Sequence, residues 1–188
     1  MKTTIIYILS ILFMMSCTSN EEKVEEKQAE EIVEKDQDYW TVNNCLRGIP
    51  TSTLYSKELK YYNFDLKEDK GVETAVWQNG DSLIVENRGC EVFWLTYTYY
   101  VKGTKMQENN LDLLRYCFNE VEQIDLAPID LKGGMDLIDK WKANNEKLNL
   151  GVEHFLKEDN VSEMFEIDEI DLKQDASKVV FSFAIGNL

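Results

Sequence analysis

The chain has 188 residues, 35 acidic side chains against 20 basic ones, one His and four Cys, for a formal net charge of −15. Its hydrophobic fraction of 44% is material for one core, and the length is too short for two ordinary domains. The acidity argues against nucleic-acid binding, which needs basic surfaces to meet phosphate, and a single His excludes most zinc sites.

Met1–Ser16 reads MKTTIIYILSILFMMS, with Lys2 as a positive start and an 11-residue run from Ile5 to Met15 broken only by Ser10. Spanning a bilayer takes about 20 apolar residues, so this run is too short and fits a secretory signal. It ends at Ser16-Cys17, followed at once by polar Thr18-Ser19-Asn20. A small residue before a Cys at the end of such a run resembles the bacterial lipoprotein signal. Met14 stands where the commonest pattern has Leu, and the motif is similar to the looser versions of Bacteroidota lipoproteins. The resemblance covers residues 1–17 only. It implies that residues 1–16 are removed and that Cys17 becomes the lipidated first residue, carrying acyl chains such as palmitate. Two or three such chains anchor stably where one holds only marginally. Thr18, where Asp would imply inner-membrane retention, implies the outer membrane. The acidic run from Glu21 resembles surface-export signals, so periplasmic and surface-facing orientations both stay open. The alternative is an ordinary cleaved signal with Cys17 incidental.

Residues 18–38 carry nine acidic and three basic side chains and only four apolar ones. So little apolar surface cannot offset the entropy of ordering, and the stretch reads as an acidic tether. As a flexible coil it would span about 25 Å, and as a helix about 30 Å. Residues 39–188 then form a single domain with 16 basic and 26 acidic side chains, a net charge of −10.

Tyr39–Leu46 reads as an opening strand, followed by a turn at Gly48-Ile49-Pro50. Residues 51–71 carry no clear period, with a short helical turn expected at 56–61. Val72–Trp77 and Ser82–Glu86 read as strands joined at Asn79-Gly80, a two-residue hairpin signal that needs positive φ at both positions. Asn87-Arg88-Gly89 turns again. Cys90–Val101 is a long strand of aromatic and β-branched residues, expected at the centre of a sheet with cover on both sides for part of its length. Asn110 is the expected N-cap of an amphipathic helix with Leu111, Leu114, Cys117, Phe118, Val121 and Ile124 inward. A second helix is expected from Met135 to Asn144, started by Lys132-Gly133-Gly134, with Leu137, Ile138 and Trp141 inward. Leu148–Leu156 reads as a strand. Met164–Leu172 changes phase near Asp168-Glu169, which predicts a bulge. Val179–Ile185 is a final apolar strand. Strands, helices and strands in that order predict an α+β fold, a mainly antiparallel sheet with two helices packed on one face.

The candidate chemistry is sparse. With Cys17 lipidated, three cysteines remain in an oxidising compartment, and an odd count leaves one unpaired. Cys117 falls on the apolar helix face. Cys45 and Cys90 stand at strand ends, open to a bridge, although both staying free is slightly favoured because a core of this length does not depend on a disulfide. His154 has no marked nucleophile to pair with and reads as a surface or packing residue. Glu166, Asp168, Glu169 and Asp171 carry oxygen ligands but lack the spacing and Gly of a calcium loop, and read as a solvated acidic face. Gly133-Gly134 reads as a turn rather than an anion cradle. Asp81-Ser82-Leu83 resembles the O-glycosylation sequon of Bacteroidota. Tyr61, Tyr62, Tyr97, Tyr99 and Tyr100 would suit recognition of a glycan or protein if they shared an outer face, although packing in the core and sheet is the stronger reading.

The reading is a lipid-anchored outer-membrane protein whose domain binds another envelope macromolecule without catalysis, metal or cofactor. An inhibitor or immunity protein against a basic partner is the sharper version, because a domain of net charge −10 is steered towards one. A small envelope hydrolase using acidic residues and a structural subunit of an envelope complex are the alternatives. Membrane contact is expected through the lipid, and no nucleic acid is expected.

Overall fold

Seven strands and two helices carry the fold of a computed structural model that describes residues 45, 48–55, 59–103, 109–157, 162–173 and 175–186. The strands are β1 (Tyr61–Leu66), β2 (Lys70–Val76), β3 (Ser82–Arg88), β4 (Phe93–Lys102), β5 (Glu153–Lys157), β6 (Ser162–Asp171) and β7 (Ala176–Gly186). Helices α1 (Asn110–Glu122) and α2 (Leu131–Ala143) lie in sequence between β4 and β5. All pairings are antiparallel, in the order β1-β2-β3-β4-β7-β6-β5. The fold is α+β with an antiparallel sheet. The lipoprotein signal, the tether and all of the expected opening strand except Cys45 and Leu46 lie before the described residues, and Leu46 is also outside them.

Alternation along β4 sorts the sheet into two faces. Leu95, Tyr97, Tyr99 and Val101 are fully buried, whereas Trp94, Thr96, Thr98 and Tyr100 are half-exposed, so cover on that second side is partial. Register extends the buried side across the sheet: Val85, Tyr97, Phe181 and Ile167 stand in one row, and Leu95, Phe183 and Phe165 in the next. Phe118 of α1 meets this layer with ring centroids 4.4 Å from Phe181 and 5.4 Å from Phe165. Trp141 of α2 stacks at 6.5 Å on Phe165. Each such ring taken from water contributes about 1.5–3 kcal/mol. The helices approach closely at Gly134, where a Cβ would lie 2.8 Å from Phe118 Cε1.

Several boundaries differ from the sequence reading, each for a local reason. Tyr61 opens β1 rather than ending a helical turn; 56–58 are outside the described residues. The β2–β3 loop runs over Trp77–Asp81 and only Gly80 is left-handed (φ 89), because Trp77 N–H closes the loop on Asp81 O at 2.9 Å. Asn87 and Arg88 continue β3, so the turn falls after them at Gly89 (φ 95), where a Cβ would sit 2.1 Å from Val92 O. The α1 cap is Asn109, not Asn110; its side chain accepts from Leu111 N at 2.9 Å. Helix α2 starts at Leu131 because Asp130 caps it, accepting from Gly133 N at 2.9 Å. Gly133 and Gly134 are therefore helical rather than a turn, and the Gly133 N–H is already taken. Strand β5 begins only at Glu153, with Leu148–Val152 outside it. The β6 bulge is present, a register shift against β7 between Ile167 and Glu169.

Cys45 and Cys90 are disulfide-bonded, with Cα atoms 4.6 Å apart, which corrects the slight preference for free thiols. The bond closes a loop of sequence separation 45 that no local pattern brings together. Cys117 is free and buried against the sheet, and burial pushes its thiol far above the ordinary range.

Candidate functional site

The half-exposed face of the sheet carries a row of polar groups in register: Thr96 on β4, Ser182 on β7, Glu166 on β6 and Glu153 on β5. The β6 bulge brings Asp168 to the same row, where it accepts from Ser182 Oγ at 2.8 Å. Ser182 also lies 3.2 Å from Thr96 Oγ1, which accepts from Trp94 Nε1 at 3.2 Å. A hydrogen-bonded line thus crosses three strands and ends on a carboxylate. Burial, then Asp168 and Glu153, push the Glu166 carboxyl above its ordinary range. Burial is thus the larger cause, and the charges of Asp168 and Glu153 add to it. The neighbouring acids are neutralised locally: Lys178 bonds Glu169 at 2.6 Å, Lys173 bonds Asp171 at 2.5 Å and Lys70 bonds Glu86 at 2.7 Å. Glu153, Glu166 and Asp168 have no ion-pair partner among the described residues. Among the described residues no three His, Cys, Asp or Glu side chains form a metal-binding group.

A second feature lies near the disulfide. A cleft of about 270 Å³ opens between Ile49–Thr53 and Leu126–Pro128, with Asn87 and Phe93 completing its lining. The strap 51–55 is held by Glu73, a fully buried carboxylate on β2. Thr53 N and Thr53 Oγ1 donate to its Oε1, both at 2.7 Å, and Leu54 N and Tyr62 Oη donate to Oε2 at 3.1 and 2.7 Å. The strap also pairs with the turn after α1: Tyr55 N donates to Ile124 O at 2.7 Å and Leu126 N to Thr53 O at 2.6 Å. In that turn the Asp125 carboxyl accepts from Ala127 N at 2.7 Å and from Tyr97 Oη. Burial is the largest cause of an Asp125 carboxyl pushed up to about 6; Tyr97 and Ala127 hold it down and Glu73 raises it. Nothing in the local sequence marks Glu73 as buried, because its partners lie 11 to 21 residues upstream.

The tyrosines do not form one outer face. Tyr97 and Tyr99 are fully buried because β4 is the central strand and its odd positions point into the core. Tyr97 stacks on Phe181 at 5.0 Å, and Tyr99 lies 5.1 Å from Trp77 and 6.3 Å from Tyr116. Tyr61 (53% exposed) and Tyr62 (39%) are on the edge strand β1, and as neighbours in a strand they point to opposite faces. Tyr100 is half-exposed beside Ser82 and Lys178. His154 packs against Trp141 at 4.8 Å, and burial lowers its pKa. Asp81 of the sequon-like tripeptide is fully buried, accepting from Lys102 N at 2.8 Å and Tyr116 Oη at 2.6 Å, with Ser82 inside β3. No protein family model, curated protein or solved structure matches the chain.

Proposed function

We propose that this chain is a lipid-anchored protein of the bacterial outer membrane whose domain binds a basic envelope macromolecule without catalysis, in the manner of an inhibitor or immunity protein. The observation that carries the reading is the row Glu153, Glu166 and Asp168, three carboxylates on one sheet face with no ion-pair partner among the described residues. Carboxylates left to repel one another are relieved by a cationic partner, and a domain of net charge −10 steers one in. Trp94 and Thr96 beside them supply the aromatic and hydroxyl surface that recognition uses. The face is available to a partner if both helices pack on the other one, and the ring contacts of Phe118 and Trp141 with Phe165 support that arrangement.

Lysozyme, a basic muramidase, serves as a first probe. Titrated against the full chain in detergent at low ionic strength, it should bind, and binding should weaken with added salt. The variant Glu153→Gln/Glu166→Gln/Asp168→Asn should bind about tenfold or more weakly. No binding at low salt removes lysozyme-like partners, and equal binding by the variant removes this face. Cys17→Ser should move the protein from the membrane to the soluble fraction; unchanged sedimentation would remove the lipid anchor.

A further inference from the structure

The two walls of the cleft are each tied to a carboxyl group, one fully buried (Glu73) and one half-buried (Asp125), and those groups act on one another. One wall is the strap 51–55, fixed by Glu73. The other is the turn 124–128, folded around Asp125. The walls touch through two backbone hydrogen bonds, Tyr55 N to Ile124 O and Leu126 N to Thr53 O. We propose that this strap and turn are a proton-controlled latch: a neutral Asp125 lets the walls close, and an ionised Asp125 beside Glu73 drives them apart and widens the cleft.

The groups facing Asp125 determine the direction. Tyr97 Oη reaches it from β4, the N–H groups of Leu126 and Ala127 from its own turn, and the Glu73 charge from β2. Glu73 is itself bonded to Tyr62 and to the strap, so it has no freedom to turn away. No cation is among these neighbours, and on its protein side charge on Asp125 meets dipoles and a second carboxylate. Movement of the turn into water is the available relief. Among the described residues two backbone hydrogen bonds join strap to turn, one on each side of the Leu54–Asp125 bridge, while Ile124 N and Asp125 N stay tied to Val121 O of α1. If the open state restores the ordinary carboxyl value of 3.8 in place of about 6, the opening equilibrium grows about tenfold between pH 5 and pH 7.5.

Amide hydrogen exchange on the full chain, with rates corrected for intrinsic chemistry, tests this. Tyr55 and Leu126 should lose about tenfold in protection from pH 5 to pH 7.5, while Val179 and Phe181 in β7, paired on both sides, lose much less. Asp125→Asn should remove the pH dependence at Tyr55 and Leu126. Tyr97→Phe deletes a hydrogen bond that favours the ionised form, so it should move the midpoint to higher pH. Unchanged protection across this range, or the same slope in Asp125→Asn, overturns the latch. If Asp125→Asn fails to fold, a midpoint unmoved in Tyr97→Phe does so.

Discussion

Glu73→Gln perturbs the structure at one oxygen. Gln keeps a carbonyl at the Oε1 position, so Thr53 N and Thr53 Oγ1 retain an acceptor. At Oε2 it places an NH₂ group against the Leu54 N–H, which then has no acceptor. Ser52 and Tyr62 hydroxyls can rotate to accept, but their bonds to a charge become neutral ones. An orphaned buried N–H costs about 1–3 kcal/mol, and each bond to charge that turns neutral loses about 1 kcal/mol. The sum is about 3–5 kcal/mol, or about 6–20 °C in Tm for a domain of this size. A second effect has the opposite sign. Removing the Glu73 charge relieves Asp125 once Asp125 is ionised, above about pH 6. The deficit should therefore be larger at pH 5 than at pH 7.5. Urea unfolding followed by Trp fluorescence at both pH values measures it. A loss below about 1 kcal/mol, identical at the two pH values, would refute the role given to Glu73.

Asp125 makes a prediction for global stability. Its folded value of about 6 exceeds the ordinary 3.8, so the folded state holds the proton more tightly. Its contribution to stability is complete below pH 3.8 and is lost as pH rises through about 6, about 3 kcal/mol in all. The stability difference between Asp125→Asn and wild type should grow by that amount from pH 3.5 to pH 7.5 in parallel denaturation curves. Reducing the Cys45–Cys90 bond, or replacing both with Ser, should cost about 4 kcal/mol given the loop length. Calorimetry with and without reductant checks it, and an unchanged Tm would contradict it.

Much of the architecture was legible because the local pattern and the packing agree. Leu111, Leu114, Cys117, Phe118 and Val121 recur at helical spacing and all are buried. The phase change at Asp168-Glu169 became a real register shift, since a strand paired on both sides cannot absorb an extra residue otherwise. Other features depend on distant partners. Glu73 and Asp81 are fully buried acids on the core side, while Val72 and Val76 are half-exposed on the other. Polar groups from the strap and from Tyr116 reverse what hydrophobicity alone would assign. Tyr97 and Tyr99 were open to recognition as well as to packing, because an aromatic strand reads alike whether its face is open or covered; they are packed in the core. The acid row needed the β4-β7-β6-β5 order, which brings Glu153 and Glu166 opposite each other from separate strands.

The most direct test of the central claim compares envelope proteins retained on the immobilised full chain with those retained on Glu153→Gln/Glu166→Gln/Asp168→Asn. The wild-type chain should hold a protein of net positive charge that salt elutes and that the triple variant does not retain. The same proteins held equally by both chains, in high salt as in low, would contradict it.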